Sequence, residues 1–348
     1  MKKSIAVIFG GEGLERSISE LSASTIISFI DKKLYTPVLI GITSSGCWYI
    51  YRGIPEAVEK GTWSENPRYL TPTFPVTVDG VSGFLCGNEI LRVDAAVIIL
   101  HGERGEDGII QGALDAAHIK YVGADVYASA VTADKAYTKL CAEHLSIPTA
   151  KWMLSTKESE NDARVRAEEE IGYPMFIKPA RRGSSFGAHP VLGSADFSPA
   201  FSDAFTQGGG RVLIEALIPV DYELECGYLE GESPMFSPKG RILSDGNFYD
   251  FDAKYKGRNS PALELCKDNT EGIQYKAEKY AKLLVDFIGI RHMARIDFFV
   301  TKNGELLFNE INSIPGMTKS SLYPKLTETM GFGRGEFINR LIEAVCKK

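Results

Sequence analysis

Asp297, Glu310 and Asn312 sit on two apolar-rich segments, Met293 to Val300 and Glu305 to Asn312, that are joined through Asn303-Gly304. Their side chains offer oxygen donors, the set that suits Mg²⁺. Asn-Gly between two apolar runs signals a β-hairpin, because both central turn positions take positive φ. A two-residue turn there sets Lys302 opposite Glu305, Asp297 opposite Glu310 and Arg295 opposite Asn312. The period of two along a strand then brings Arg295, Asp297, Glu310 and Asn312 to one face of the ribbon. Facing carboxylates repel unless something cationic compensates them. Two readings meet that condition: a divalent ion that also takes phosphate oxygens, or a solvated acidic face with Arg295 as its neutralising partner.

A second group follows the apolar segment Met175-Phe-Ile-Lys178 and Pro179: Arg181-Arg-Gly-Ser-Ser-Phe-Gly187. Small residues let backbone N–H groups converge on anionic oxygens, and Lys178 adds a point charge. An ordinary flexible turn has the same composition, and the loop matches neither the P-loop nor the dinucleotide fingerprint. His101-Gly-Glu-Arg-Gly-Glu-Asp-Gly108 stands after an apolar run and before a helical pattern, where α/β sheets collect ligands. The alternative is a polar loop whose Asp107 caps the helix.

The elements that must carry these groups are readable in outline. Ser4 to Phe9 is a continuous apolar run ending in Gly10-Gly11, the pattern of a buried parallel strand. A helix follows, with Ser17 and Glu20 at capping-box spacing and Leu21, Ile26, Ile27 and Ile30 on its apolar face. Strands near 36–42 and 95–100 and a helix over 107–117 complete a βαβ-type unit, with 45–92 as an elaboration of short strands and turns. A helix over 130–145 and strands at 150–154, 175–178 and 212–215 form a middle unit. Beyond it, strands at 223–228, 293–300 and 305–312 alternate with helices near 272–287 and 333–346.

At 348 residues, with 44% hydrophobic and 24% charged content, the chain should split into two or three packed units with a cleft between them. A net charge of -6 argues against a broad nucleic-acid footprint. No apolar run is long enough for a membrane span, and the one after Met1-Lys-Lys3 is too short for a signal peptide. The six cysteines lack CxxC spacing, which reads as reduced thiols in a cytoplasmic protein.

Taken in order along nearly the whole chain, the motifs resemble the D-alanine–D-alanine ligase family of the ATP-grasp fold. Those in the first third are Gly10-Gly11 with Glu15 and Ser19, His101-Gly102 with Gly105-Glu-Asp-Gly108, and Gln111-Gly112. Ala133-Asp-Lys135, Lys178-Pro179, Gly183-Ser-Ser185 and Gly187 follow, then Tyr249-Asp250 and Ala253-Lys-Tyr255. Arg295-Ile-Asp297, Asn309-Glu-Ile-Asn312, Pro315-Gly316 and Ser321-Leu-Tyr-Pro324 complete the set. The extra segment around 45–92 is similar to the longer members, a group that includes the vancomycin-resistance ligases.

The resemblance implies an α/β protein of three domains. These are an N-terminal parallel-sheet βαβ domain (1–124), a central ATP-grasp subdomain (125–216) and a C-terminal one (217–348) with the metal hairpin and a lid loop, 246–260. ATP would lie between the last two. Lys135 and Lys178 would contact its phosphates, Ser184, Ser185 and Lys254 would also bind it, Glu215 and Leu217 would face adenine, and Glu223 would hold the ribose. Asp297, Glu310 and Asn312 would ligate two Mg²⁺ ions, with Mn²⁺ as a substitute.

For the amino acids, the resemblance implies that Glu15 binds the first ammonium, with His101 nearby. Arg295 and the Gly316 N–H would stabilise the oxyanion, and Ser321 and Leu322 would receive the second carboxylate. Glu15, Ser184 and Tyr255 would close the lid over an acyl phosphate that must be kept from water. The implied enzyme is a cytoplasmic homodimer that makes D-alanyl-D-alanine for peptidoglycan precursors. Tyr255 is similar to the dipeptide-forming members, and Leu322 to those that prefer D-alanine over D-serine. Gly13, Arg182, Phe251 and Lys319-Ser320 depart from the family's usual residues. A D-alanine–D-serine ligase and a non-catalytic nucleotide-binding protein are the alternatives.

Overall fold

The computed structural model describes residues 2–156, 159–231, 233–237, 240–243, 263–265 and 272–347. The expected lid, 246–260, with Lys254 and Tyr255, lies outside the described residues.

Lys3–Gly10 is the strand that the apolar run requires: Ile5 to Phe9 are fully buried, so both of its faces are covered. It pairs in parallel with Tyr35–Ile42 and with Ala95–Ile98, and the latter pairs in parallel with Tyr121–Val122. Trp48–Tyr51 and Leu70–Pro72 extend the opposite edge antiparallel, and a separate meander from Pro75 to Arg92 completes the 45–92 elaboration.

The helix after Gly11 runs over Arg16–Phe29, ahead of the position that the capping-box spacing suggests. Ser17 lies inside its first turn, and the N-cap is Glu15, whose side chain makes no capping bond. Glu20 instead accepts hydrogen bonds from Trp63 Nε1 at 2.7 Å and Arg16 Nε at 2.8 Å, which ties the elaboration to the helix. The expected capping box therefore does not form, because its acid is committed to a buried indole. The C-terminal helix, Arg334–Lys347, returns to this first sheet and places Phe337, Ile338, Leu341 and Ile342 in its core.

A second, antiparallel sheet has the order Trp152–Ser155, Val212–Ala216, Met175–Pro179, His189–Val191. The helical pattern before it is two helices, Val126–Thr132 and Lys135–His144, rather than one. Asp134 breaks it: its backbone is extended and its carboxylate caps the second helix by accepting from Ala136 N at 3.0 Å.

The third sheet orders Leu263–Leu265, Gly240–Leu243, Val220–Leu229, Met293–Thr301 and Leu306–Asn312, backed by the helix Ile273–Ile288. In its hairpin Asp297 faces Glu310 and Arg295 faces Asn312, as alternation demands. The route differs from the expected one. Thr301 accepts from Glu305 N through its hydroxyl at 3.0 Å, and only Gly304 of the turn takes positive φ, at 78°. The loop is thus three residues, 302–304, and Lys302 does not face Glu305. Phe298 pairs with Phe308, so Asn309 is an extra residue, a β-bulge that restores the register before Asp297. Among the described residues no helix is long and apolar enough to cross a membrane.

Candidate active site

A cavity of about 1480 Å³ is lined by residues on or beside the three larger sheets, and every candidate side chain within the described residues lines it.

At one end lies Glu15, at the start of the Arg16–Phe29 helix. Gly10 and Gly11, at φ 95° and 105°, turn the chain off the central strand toward it. Its carboxylate accepts a hydrogen bond from the Ser184 hydroxyl, so the loop of the second sheet reaches the first. Burial, then repulsion from Glu106, pushes the Glu15 carboxyl above its ordinary range, against the pull of Ser184, His101 and Lys135. His101 is buried, with Nδ1 3.9 Å from Glu106 and Nε2 3.5 Å from the Ser22 hydroxyl. Glu106 is part of the His101 loop motif, but sequence reasoning assigned it no role of its own.

Gly102 shows how tightly this end is built. Its φ is +74°, and a Cβ there would run into Glu15 Oε2 closer than van der Waals contact allows. Gly102→Ala should displace Glu15 and lower turnover by about 10²-fold. A steady-state assay beside a melting curve checks this, and full activity in the variant would refute the placement of Glu15.

In the loop itself, Asp107 is not the helix N-cap. Gly108 is the N-cap of Ile109–Ala116, while Asp107 accepts from Ile109 N at 3.2 Å and Arg104 N at 2.9 Å. His101 and Glu103 still line the cavity.

Further along, Lys135 opens its helix and extends Nζ to Glu310 Oε2 at 3.3 Å and to the Arg182 carbonyl at 2.6 Å. Lys178 Nζ meets Glu215 Oε2 at 2.5 Å. Lys139, which sequence reasoning missed, meets Glu215 Oε1 at 2.5 Å and is fully buried. Its spacing of four from Lys135, which puts both on one helical face, was the available signal. Burial alone would raise the Glu215 carboxyl, but Lys139 and Lys178 hold it down at about 2. Leu217 and Glu223 line the same region, beside Phe176 and Ile218, and Ser185 adjoins Ser184 in the loop.

On the hairpin, Arg295 donates Nε to Asp297 Oδ1 at 2.8 Å and an Nη to Oδ2 at 2.7 Å. Asn312 Nδ2 lies 3.4 Å from the same Oδ2, and Arg295 also lies 3.4 Å from Glu225. Burial opposes the charge on Arg295, yet Asp297 and Glu225 hold it protonated well above its ordinary range. Glu225 was missed too, though it is two residues from Glu223 on the same strand face. Among the described residues no group of three or more His, Cys, Asp or Glu could hold a metal by itself. Two carboxylates and an amide fit Mg²⁺ shared with a phosphate-bearing ligand, because that ion completes its shell with water and phosphate oxygens.

The remaining end is the N-terminus of the helix Leu322–Thr329. Ser321 precedes it, with its hydroxyl 2.7 Å from Thr318 Oγ1 and accepting from Thr318 N at 3.0 Å. A Cβ on Gly316 would come 3.0 Å from that hydroxyl, so the Ser321 side chain packs closely on the glycine. Free amides at a helix start suit a carboxylate.

Two antiparallel sheets flanking a lysine- and carboxylate-lined cleft, with a parallel α/β unit beside it, make this an enzyme of ATP-grasp architecture. Family models for the D-ala D-ala ligase N-terminus and C-terminus match residues 4–124 and 141–343. The D-alanine–D-alanine ligase of Ruminiclostridium cellulolyticum is 36% identical over 98% of this chain and 95% of its own. Among solved structures, the VanG D-Ala:D-Ser ligase from Enterococcus faecalis superposes with a TM-score of 0.88 at 32% identity, covering 99% of both chains. The D-alanine–D-alanine ligase from Coxiella burnetii gives a TM-score of 0.85 at 28% identity, over 99% of this chain and 94% of that one. The chain belongs to the D-alanine–D-alanine ligase family.

Proposed function

We propose that this protein is a Mg-ATP-dependent ligase that forms D-alanyl-D-alanine through D-alanyl phosphate for peptidoglycan precursors, acting in the cytoplasm as a homodimer. The observation that carries the reading is the single cavity joining Glu15, the lysines, the hairpin carboxylates and the helix start at Ser321. The segments 1–124, 125–216 and 217–348 serve as its domains, with the helix Arg334–Lys347 of the last packed into the core of the first.

A first carboxylate attacks the γ-phosphate in line and releases ADP, and the amine of the second amino acid then displaces phosphate. Asp297, Glu310 and Asn312 would hold Mg²⁺, or Mn²⁺ in its place, which would supply charge neutralisation at the phosphates. Lys135, Lys178 and Lys254 hold phosphate oxygens with Ser184 and Ser185, while Glu215, Leu217 and Glu223 seat the nucleoside. Glu15 pairs with the first ammonium, which relieves its repulsion with Glu106. Arg295 and the Gly316 N–H face the developing oxyanion. Ser321 and Leu322 seat the second carboxylate, and Ser184 with Tyr255 relays the proton lost by the amine.

A second reading, D-alanine–D-serine ligation of the vancomycin-resistance type, is favoured by the likeness to the VanG ligase. Purified protein with ATP, Mg²⁺ and D-alanine, D-serine and D-lactate in competition decides between them by mass spectrometry of the products. D-alanyl-D-alanine with matching ADP is expected. Predominant D-alanyl-D-serine would establish the second reading, and ADP release with L-amino acids alone would sink both.

A further inference from the structure

The cavity brings together two loops from different sheets, and one side chain spans them. The Arg182 carbonyl accepts from Lys135 Nζ at 2.6 Å, so its backbone belongs to the phosphate end. Its guanidinium donates Nε to the Gln207 carbonyl at 2.7 Å and meets Glu103 Oε2 through Nη1 at 3.0 Å. Glu103 lies two residues from His101 and next to Gly102, the glycine packed on Glu15. The guanidinium is therefore fixed at one end by a carbonyl of its own unit and reaches across to the amino-acid end with the other. Arginine suits such a span, because its planar fork makes both contacts with little extra loss of freedom.

We propose that Arg182 is a positioning residue that, through Glu103, couples the amino-acid end of the cavity to its phosphate end. The proposal rests on the ligase reading above for the identity of the two ligands. When the first amino acid orders the His101–Gly108 loop, Glu103 holds Arg182, and the 181–187 loop is presented to the nucleotide already in place. By linkage, nucleotide must favour the amino acid by the same factor. An exposed ion pair is weak in isolation, so its effect belongs in the equilibrium of the loops rather than in global stability.

The test is a double-mutant cycle with Glu103→Ala, Arg182→Ala and the double variant. Amide hydrogen exchange is followed in residues 101–108 and 181–187 of the ligand-free proteins. Each single change should speed exchange in both segments by about two- to fivefold. The double variant should exchange more slowly than the product of the single effects predicts. Glu103→Ala isolates the span, because it leaves the Arg182–Gln207 bond intact. The affinity for a non-hydrolysable Mg-ATP analogue, measured with and without D-alanine, should show less D-alanine enhancement in the single variants by a similar factor. Unchanged exchange in the far loop, or strictly multiplicative single effects, would overturn the proposal. Exchange needs no ligand, so a wild-type protein that released no ADP with D-alanine would refute the ligase reading while the cycle still decided the span.

Discussion

Glu310→Ala is expected to lower kcat by at least about 10³-fold, since a metal clamp on the transferring phosphate is worth several kcal/mol at about 1.4 kcal/mol per factor of ten. Glu310 lies opposite Asp297 in the ladder and 3.3 Å from Lys135. The substitution removes one of two carboxylates from the oxygen set and leaves Lys135 without that partner. Affinity for Mn²⁺ in the presence of a nucleotide analogue, read by electron paramagnetic resonance, should fall together with kcat. Melting temperature should change little, because Glu310 is only half-buried. Activity within a few-fold of wild type would remove the hairpin from the metal assignment.

The second large effect concerns stability. Glu215 sits between Lys139 and Lys178, with each oxygen 2.5 Å from an ammonium. Glu215→Leu strands two cations, one of them fully buried, and should destabilise the protein by about 3–5 kcal/mol. Lys139→Met combined with Glu215→Leu should recover part of that loss, because an apolar pair replaces one buried charge pair at small cost while Lys178 still lacks the Glu215 carboxylate. The pH dependence follows from the carboxyl's fall from 4.5 to about 2 on folding. Its stabilisation is fully present above the unfolded value and is lost as pH falls from roughly 4.5 toward 2. Scanning calorimetry at pH 7 and pH 3 should therefore show a smaller gap between wild type and Glu215→Leu at the lower pH. Equal melting temperatures at pH 7 would show that the three charges do not act as a unit.

How much of this was legible depended on whether the signal was local. The central strand and the facing of Asp297 and Glu310 were readable because burial on both faces and a period of two leave little choice. The turn was not, since the Thr301 hydroxyl draws Glu305 into a three-residue loop that only the bulge at Asn309 offsets. Ser17 and Glu20 had capping spacing, but Trp63, 43 residues away from Glu20 in the chain, claims the acid. Likewise the single helix expected over 130–145 is divided by Asp134, which Arg181 and Arg211 also engage from the second sheet. Lys139 escaped notice because its partner, Glu215, lies in another element, and no local pattern shows that a lysine is neutralised. Motif order and the hairpin register pointed to most of the cavity residues but not to Glu106 or Glu225, and contacts between elements, such as Glu15 with Ser184, came only with the fold.

The return of the helix Arg334–Lys347 to the first sheet has a bearing on how the chain is made. Lys3 Nζ donates to the Cys346 carbonyl at 3.1 Å, so segments 343 residues apart in the chain end side by side. This sheet stays open along one flank until that helix, more than 200 residues further along, arrives to seal it. Nascent chains halted before residue 334 should accordingly present the apolar surface around Ile26 and Val97 to chaperones, whereas chains extended past residue 347 bury it.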